Sequence, residues 1–286
     1  MISSNQNPKI KLARALSGRP KERREASAFL AEGVRLVEEA VAANWPFRFV
    51  LYSDELTERG NELVKKLEDK KVEIEKVESS LLQSMSETET SQGILAILNH
   101  VPLSIPQSPN FVLILDTIRD PGNLGTLLRS ADAAGVQAVL IPPETTDAFA
   151  PKVVRAGMGA HFRLPIQSMS WDQIREFISV PHADPLRPAY GGDTSPKSAT
   201  DLGEAGGGLK VFLADMDGQS CWETDLRAPL ALIVGGEAEG ASEQARKLAN
   251  ALVKIPMAGK TESLNAAVAG SVLMFEVLRQ RSNEAK

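Results

Sequence analysis

FVLILDTIRDPGNLGTLLRSADAAGVQAVLI, residues 111–141, decides the fold. Phe111 to Asp116 is a nearly continuous apolar run, the pattern of a strand covered on both faces, as in parallel sheets. Asp120-Pro121-Gly122-Asn123 follows as a turn cluster. Leu124, Leu127, Leu128 and Ala131 then recur at helical spacing, Gly135 ends the helix, and VQAVLI is a second strand. Strand, helix and strand make one βαβ unit. A helix N-terminus opening at a strand's C-terminal edge suits an anion, such as a phosphate of RNA. A plain structural crossover has the same pattern.

Working outward toward the C-terminus, the spacing predicts a helix over 146–159, a strand at FRLPI (162–166) and a helix over 171–178. Residues 181–208 are rich in Pro, Gly, Ser and Asp and poor in apolar residues, and read as a flexible insert. Strands are predicted at LKVFLAD (209–215) and PLALIV, the latter running into the glycine string Gly235-Gly236-Glu237-Ala238-Glu239-Gly240. A helix from Ser242 leads to a short strand at Leu252, Val253 and Ile255, stopped by Pro256. In IPMAGKTESLNAAVAGSVLMFEVLRQR (255–281), Ser263 is the predicted N-cap of a last helix. Leu264, Val268, Val272, Phe275 and Leu278 form one apolar stripe of that helix, as any buried C-terminal helix of an α/β domain would also show. Ala266, Ala267, Ala269 and Gly270 form a small-residue face that another backbone can approach closely.

Toward the N-terminus, NHVPLSIPQSPN carries three prolines and breaks both periodicities, so residues 99–109 read as a linker. Before it, helix and strand alternate. Leu30, Val34, Val37 and Val41 have helical spacing, FRFVLY (47–52) is a strand, and 57–69 is a charged helix. VEIEKV (72–77) alternates as a strand, 79–85 is a short helix, and GILAIL (93–98) is another strand. Residues 1–98 thus form a compact α/β unit, with 1–18 as a candidate flexible arm.

The 286 residues suffice for two modest domains. Cys221 is the only cysteine, which excludes an intramolecular disulfide and fits a reducing compartment. The three histidines show no metal-ligand spacing. No apolar run reaches membrane-spanning length, and the N-terminus has no secretory core segment, which leaves the cytoplasm or an organelle as the expected location. The net charge of −5 weighs against a nucleic-acid partner. Yet Lys9, Lys11, Arg14, Arg19, Lys21, Arg23 and Arg24 crowd the first 24 residues, a local patch able to bind phosphates. A solvated basic terminus accounts for the same charges.

Three stretches carry a resemblance. DPGNLG followed by RSADAAG, the string GGEAEG after a strand, and IPM followed by SLN at the head of an Ala-rich helix resemble, in order, the three motifs of the TrmH/SpoU group of SPOUT methyltransferases. Arg155 and Gly157-Met158-Gly159-Ala160 match the group's small-residue helix end. FLAEG, RLVEEA and SQGILAIL are similar to the N-terminal substrate-binding domain of many members, itself similar to small ribosomal proteins that bind kinked RNA.

The resemblance implies an α/β architecture: a C-terminal SPOUT domain (110–286), a parallel sheet with a deep trefoil knot, preceded by the small α/β RNA-binding domain. Sequence physics alone would not suggest a threaded chain. It implies a homodimer with its active site at the subunit interface, where the Ala266 and Gly270 face would fit. The implied reaction is methyl transfer from S-adenosylmethionine to a ribose 2′-hydroxyl in RNA, ribosomal RNA before transfer RNA, with no metal. Gly235, Ile255 and Leu264 would line the cofactor pocket, bordered by Leu213, Gly236, Pro256 and Met257. Asn123, Arg129, Glu237, Ser263 and Asn265 match the polar catalytic positions. Arg19, Lys21, Arg23, Arg24, Glu32, Gly33 and Arg35 are the RNA-contact candidates. Arg129 holds the family's general-base position, but a guanidinium pKa above about 12 suits holding a phosphate or a developing alkoxide better. Two other readings compete. A non-catalytic RNA binder keeping this fold would not need the polar set. A nicotinamide enzyme would need an early G-x-G-x-x-G after its first strand, which is lacking.

Overall fold

The computed structural model describes residues 1–86, 92–180, 208–236, 240–261 and 263–282. The chain forms two compact units. One comprises Met1–Pro102, Asp120–Arg129 and Thr146–Arg163; the other comprises Leu103–Arg119, Ser130–Thr145 and Leu164–Lys286. Residues 120–129 and 146–163, which the sequence assigns to the second domain, thus cluster with the N-terminal residues.

The first unit begins with two helices, α1 (Pro8–Gly18) and α2 (Pro20–Ala26). Proline at the first helical position needs no N–H there, and the Asn7 side chain accepts from the Lys9 N–H at 2.9 Å. Ile10, Ala13 and Leu16 of α1 are fully buried, so residues 8–18 are part of the core and not a flexible arm. Strand β1 (Ala28–Glu32) precedes helix α3 (Val34–Ala42). The helical spacing of Leu30 with Val34 is therefore misleading. Gly33, at φ 101°, breaks the chain between them, and β1 pairs antiparallel with a later strand. There follow β2 (Phe47–Tyr52), α4 (Glu58–Asp69, capped by Thr57), β3 (Ile74–Lys76), α5 (Ser79–Gln83) and β4 (Ile94–Asn99). The four-stranded sheet has the order β1-β4-β2-β3, with only the β2–β3 pair parallel.

The second unit is built on a six-stranded sheet in which every pair is parallel. Its strands are β5 (Phe111–Leu115), β6 (Ala138–Ile141), β7 (Ile166–Ser168), β8 (Lys210–Ser220), β9 (Leu230–Val234) and β10 (Ala251–Lys254), in the order β10-β8-β9-β5-β6-β7. All of β5 and β9 is buried, as the apolar runs predict for a sheet covered on both faces. Its helices include α8 (Trp171–Ser179), α9 (Glu243–Leu248, capped by Ser242) and α10 (Ala266–Ser282). Helix α6 (Pro121–Ala133) passes from one unit into the other, and α7 (Pro151–Gly157) belongs to the first.

Three local expectations change. The helix over 146–159 starts only at Pro151. FRLPI is not a strand to its full length, because Ala160–Phe162 is a 3-10 turn and β7 starts at Ile166. The cap of α10 is Asn265, not Ser263: the Asn265 Oδ1 accepts from the N–H groups of Ala267 at 3.0 Å and Val268 at 3.2 Å. The expected insert at 181–208 lies, except for Gly208, outside the described residues.

Candidate active site

The site of interest in the second unit arises where β8 leaves its neighbours. Leu213 pairs with Leu252 of β10, but the next β10 residue, Val253, pairs with Gln219. Residues 214–218 are therefore an excursion that β10 does not match. Gly218 permits it at the point of return, since a Cβ there would lie 2.5 Å from the Val253 nitrogen. The excursion opens a cavity of about 750 Å³, within the roughly 300–1,000 Å³ of small-molecule sites. It lies past the C-terminal ends of parallel strands, where α/β sheets bind ligands.

Ala214, Asp215 and Met216 form one wall. The turn after β9 forms another with Gly235, Gly236, Gly240 and Ala241. Here a side chain is excluded: a Cβ on Gly236 would lie 2.4 Å from the Thr117 carbonyl oxygen, so glycine lets this turn pack against the residue after β5. The third wall is the segment after β10, Ile255 to Met257, with Ser263 to Asn265 and the first turns of α10. Charge at the cavity comes from Asp215, Arg246 and Lys254 among the described residues. The Arg246 guanidinium binds the Asp215 carboxylate at 2.8 Å, and the Asp217 N–H donates to the same carboxylate at 3.1 Å. Such a surface, mostly apolar with bare backbone groups and one ion pair, suits an organic ligand with both an apolar and a polar end.

Of the residues expected to hold a cofactor, Gly235, Gly236, Ile255, Pro256, Met257 and Leu264 line this cavity, and so do Ser263 and Asn265 from the polar set. Leu213 does not. It is fully buried in the ladder at the foot of the excursion, packed in the sheet core. Glu237 lies outside the described residues. Asn123 and Arg129 stand on α6 in the first unit, where Arg129 is exposed and the Asn123 N–H donates to the Asp120 side chain at 2.8 Å.

The RNA-contact candidates divide. Arg19, Lys21, Arg24 and Arg35 are exposed. Arg23 is only 5% exposed; its guanidinium binds Asp147 at 2.7 Å and donates to the Leu16 carbonyl at 2.6 Å. Glu32 is buried, binds Arg155 at 3.2 Å and accepts from the Ser86 hydroxyl. Gly33 is buried beside the Gln92 side chain, which accepts from the Val34 N–H at 3.0 Å. These three are engaged in internal contacts and not offered to a nucleic acid.

Next to Arg23 and Asp147, the first unit gathers an aromatic cluster. Phe149 lies 5.1 Å from Phe29, 4.2 Å from His100 and 5.4 Å from His161, ring centre to ring centre. His161 is buried, with Nε2 2.7 Å from the Ala148 carbonyl and Nδ1 unpaired. A neutral ring protonated on Nε2 satisfies this arrangement, and burial pushes the pKa down to about 4. His100 and His161 thus serve packing. Among the described residues, no group of three or more potential metal-binding side chains converges, and no helix is long and apolar enough to cross a membrane.

Sequence reasoning missed Asp116, Asp215 and Arg246. The signal was present for the first two: each is an acid closing an apolar strand run, FVLILD and VFLAD, where a parallel strand meets its ligand edge. Arg246 gave none, because its partner lies 31 positions away across a register shift.

Comparison with known proteins matches residues 110–275 to the SpoU rRNA Methylase family and residues 7–96 to the MRM3-like substrate binding domain. The mitochondrial rRNA methyltransferase 3 of Xenopus tropicalis is 35% identical over 258 residues, covering 76% of this chain and 62% of that protein. The 23S rRNA (guanosine(2553)-2′-O)-methyltransferase RlmP of Bacillus subtilis is 31% identical, covering 96% of this chain and 98% of that protein. The SpoU methyltransferase AviRb from Streptomyces viridochromogenes, solved in complex with AdoMet, superposes with a TM-score of 0.78 at 28% identity, over 97% of this chain and all of that one. The parallel sheet, the motif-lined cavity and these likenesses agree: the chain belongs to the SpoU rRNA methylase family.

Proposed function

We infer that the protein transfers a methyl group from S-adenosylmethionine to a ribose 2′-hydroxyl of ribosomal RNA. The carrying observation is the cavity past β8, β9 and β10, walled by the residues of two family motifs. Relatives named as 23S and mitochondrial rRNA methyltransferases support the substrate class, and an AdoMet complex of a similar structure supports the cofactor. The fit is physical as well: Gly235, Gly236 and Gly240 line the cavity with backbone and no side chains, and the volume suits a nucleoside-sized ligand.

The cofactor supplies a methyl group already activated by a sulfonium. In this reading Gly235, Gly236, Ile255, Pro256 and Met257 bind it through backbone groups, Leu264 covers it, and Leu213 supports the floor. Ser263 and Asn265 orient the polar end, and Glu237 completes the polar set. Arg129 holds the target phosphate and stabilises the developing alkoxide, with Asn123 beside it in the same motif. Because a guanidinium stays protonated, proton removal falls to solvent or another group.

Residues 1–98 serve as the RNA-binding domain, 99–109 as linker and 110–286 as the methyltransferase domain, knotted as in the SPOUT fold. The exposed Arg19, Lys21, Arg24 and Arg35 contact phosphates, whereas Arg23, Glu32 and Gly33 shape the surface that carries them. The protein acts as a homodimer. Its contact is the exposed stripe Val268, Val272 and Phe275 of α10 with Leu264 just before it, and not the Ala266 and Gly270 face, which is buried within the chain. Its place of action is the cytoplasm or an organelle, relatives named both bacterial and mitochondrial being similar to it.

The test is methyl transfer from labelled S-adenosylmethionine to ribosomal RNA from cells lacking this gene, with Arg129→Ala alongside. The wild type labels one or few ribose positions, and the variant loses turnover while its cofactor affinity is kept. Near-normal turnover in the variant overturns the site assignment, and absence of cofactor binding by the wild type overturns the activity.

A further inference from the structure

One buried carboxyl has no part in the roles above. Asp116 follows β5 and is fully buried. One of its oxygens, Oδ2, accepts the Ser242 N–H at 2.6 Å, and the Ser242 hydroxyl bonds the same carboxyl. The other, Oδ1, has no hydrogen-bond partner among the described residues. Its neighbour Thr117 adopts φ 53°, a left-handed conformation uncommon for a β-branched residue. That twist aims the Thr117 hydroxyl at the turn after β9, where it accepts the Gly236 N–H and donates to the Gly240 carbonyl, both at 3.3 Å. Gly235, Gly236, Gly240 and Ala241 are the residues of that turn that wall the cavity.

We propose that Asp116 and Thr117 form a latch that positions the glycine turn after β9 for the cofactor. The inference rests on the reading that this cavity holds S-adenosylmethionine. Both ends of the turn are tied to the end of β5, one at Gly236 and the other at Gly240 and Ser242. The backbone groups of Gly235, Gly236, Gly240 and Ala241 can then meet a ligand already oriented, with little left to order on binding. Strained backbone and an incompletely paired carboxyl both weaken the free protein; such costs concentrate where geometry serves function. Burial pushes the Asp116 carboxyl above its ordinary pKa, with the two Ser242 bonds opposing and Glu144 adding to the rise. Asparagine keeps a carbonyl oxygen where Asp116 accepts from Ser242, whereas leucine keeps none, and that makes the latch testable. Asp116 and Thr117 are positioning residues: they act through the turn.

The experiment is steady-state methyl transfer by full-length Asp116→Asn, Asp116→Leu and Thr117→Val, with equilibrium binding of S-adenosylhomocysteine and of substrate RNA. Asp116→Leu is expected to raise the cofactor KM and the S-adenosylhomocysteine Kd about tenfold, the scale of one lost buried hydrogen bond to a charged or strongly polar group. At saturating cofactor kcat and RNA affinity stay within about threefold of wild type. Asp116→Asn, which keeps the acceptor for Ser242, stays within about twofold in KM. Thr117→Val removes both hydroxyl bonds at constant shape and raises the cofactor KM several-fold. It decides the matter if Asp116→Leu fails to fold. A leucine variant equal to the asparagine variant, a fall in kcat at unchanged KM, or wild-type cofactor KM in Thr117→Val overturns the latch. A wild type that binds no S-adenosylhomocysteine overturns the cofactor reading itself.

Discussion

The basic segment at the start of the chain and the apolar helix at its end invert the usual surface. In α2 a guanidinium, Arg23, is 5% exposed, whereas in α10 Val268 is 49% and Phe275 46% exposed. Polarity scales place these residues the other way round. Arg23 lies inside because Asp147 and the Leu16 carbonyl replace the water it loses. Phe275 lies outside because α10 turns its smaller face, Ala266, Ala267 and Gly270, with Leu273, Met274 and Val277, toward the chain. Small residues in its first turns bring the helix close to its own sheet, and Val268, Val272 and Phe275 on the opposite side are left for another surface. Burial thus follows from available partners more than from residue type.

The comparison breaks most visibly at α10. A Val268→Asp/Phe275→Asp double variant should shift the protein from dimer to monomer in sedimentation velocity. Charging two anchors of an apolar interface weakens association by about 100-fold or more. A wild type that is already monomeric at about 100 μM, a concentration at which even weak dimers persist, removes the stripe from the dimer interface. At the other end, Arg23→Ala should lower unfolding stability by about 3 kcal/mol in urea titrations, because it leaves Asp147 without its ion partner. Arg24→Ala, one residue on and exposed, should leave stability within about 0.5 kcal/mol and instead reduce the salt dependence of RNA binding by about one counterion. Equal stability of the two variants would erase the distinction between a structural and a phosphate-facing arginine.

The smallest expected effect concerns the buried histidine. The folded pKa of His161 is about 4, below the roughly 6.5 of an unfolded histidine, so the folded state favours the neutral ring. Its stabilisation is complete above pH 6.5 and is lost as pH falls toward 4. Between pH 8 and pH 5 it should account for roughly 2 kcal/mol of lost stability. His161→Gln, which can still donate to the Ala148 carbonyl, should flatten that part of the profile. An unchanged pH slope in the variant would assign the acid sensitivity elsewhere.

Much of the fold was legible because the strands of the parallel sheet are short apolar runs bounded by turn residues. FVLIL and LALIV are strands to within a residue, and both are wholly buried. Periodicity failed where two elements meet without a break in spacing. Leu30 continues the helical register of Val34 and Val37, yet it belongs to β1, whose pairing with β4 is 67 residues distant along the chain. The cavity walls from Gly235 and from Ile255 to Met257 were legible through the motifs, since glycine runs and Pro256 punctuate strand ends. The excursion of β8 was not. A register shift between β8 and β10 is a property of two strands, and neither string shows it alone. Asp116 was hidden for a related reason: it reads as the polar end of a strand, and only the fold brings Ser242 to it.

The excursion at 214–218 carries a consequence of its own. The binding space is made by withholding strand pairing, so its size is written in chain length as much as in side-chain volume. Shortening that segment would let the two strands zip together and squeeze the hollow shut, while lengthening it would widen the mouth without disturbing the buried sheet below Leu213.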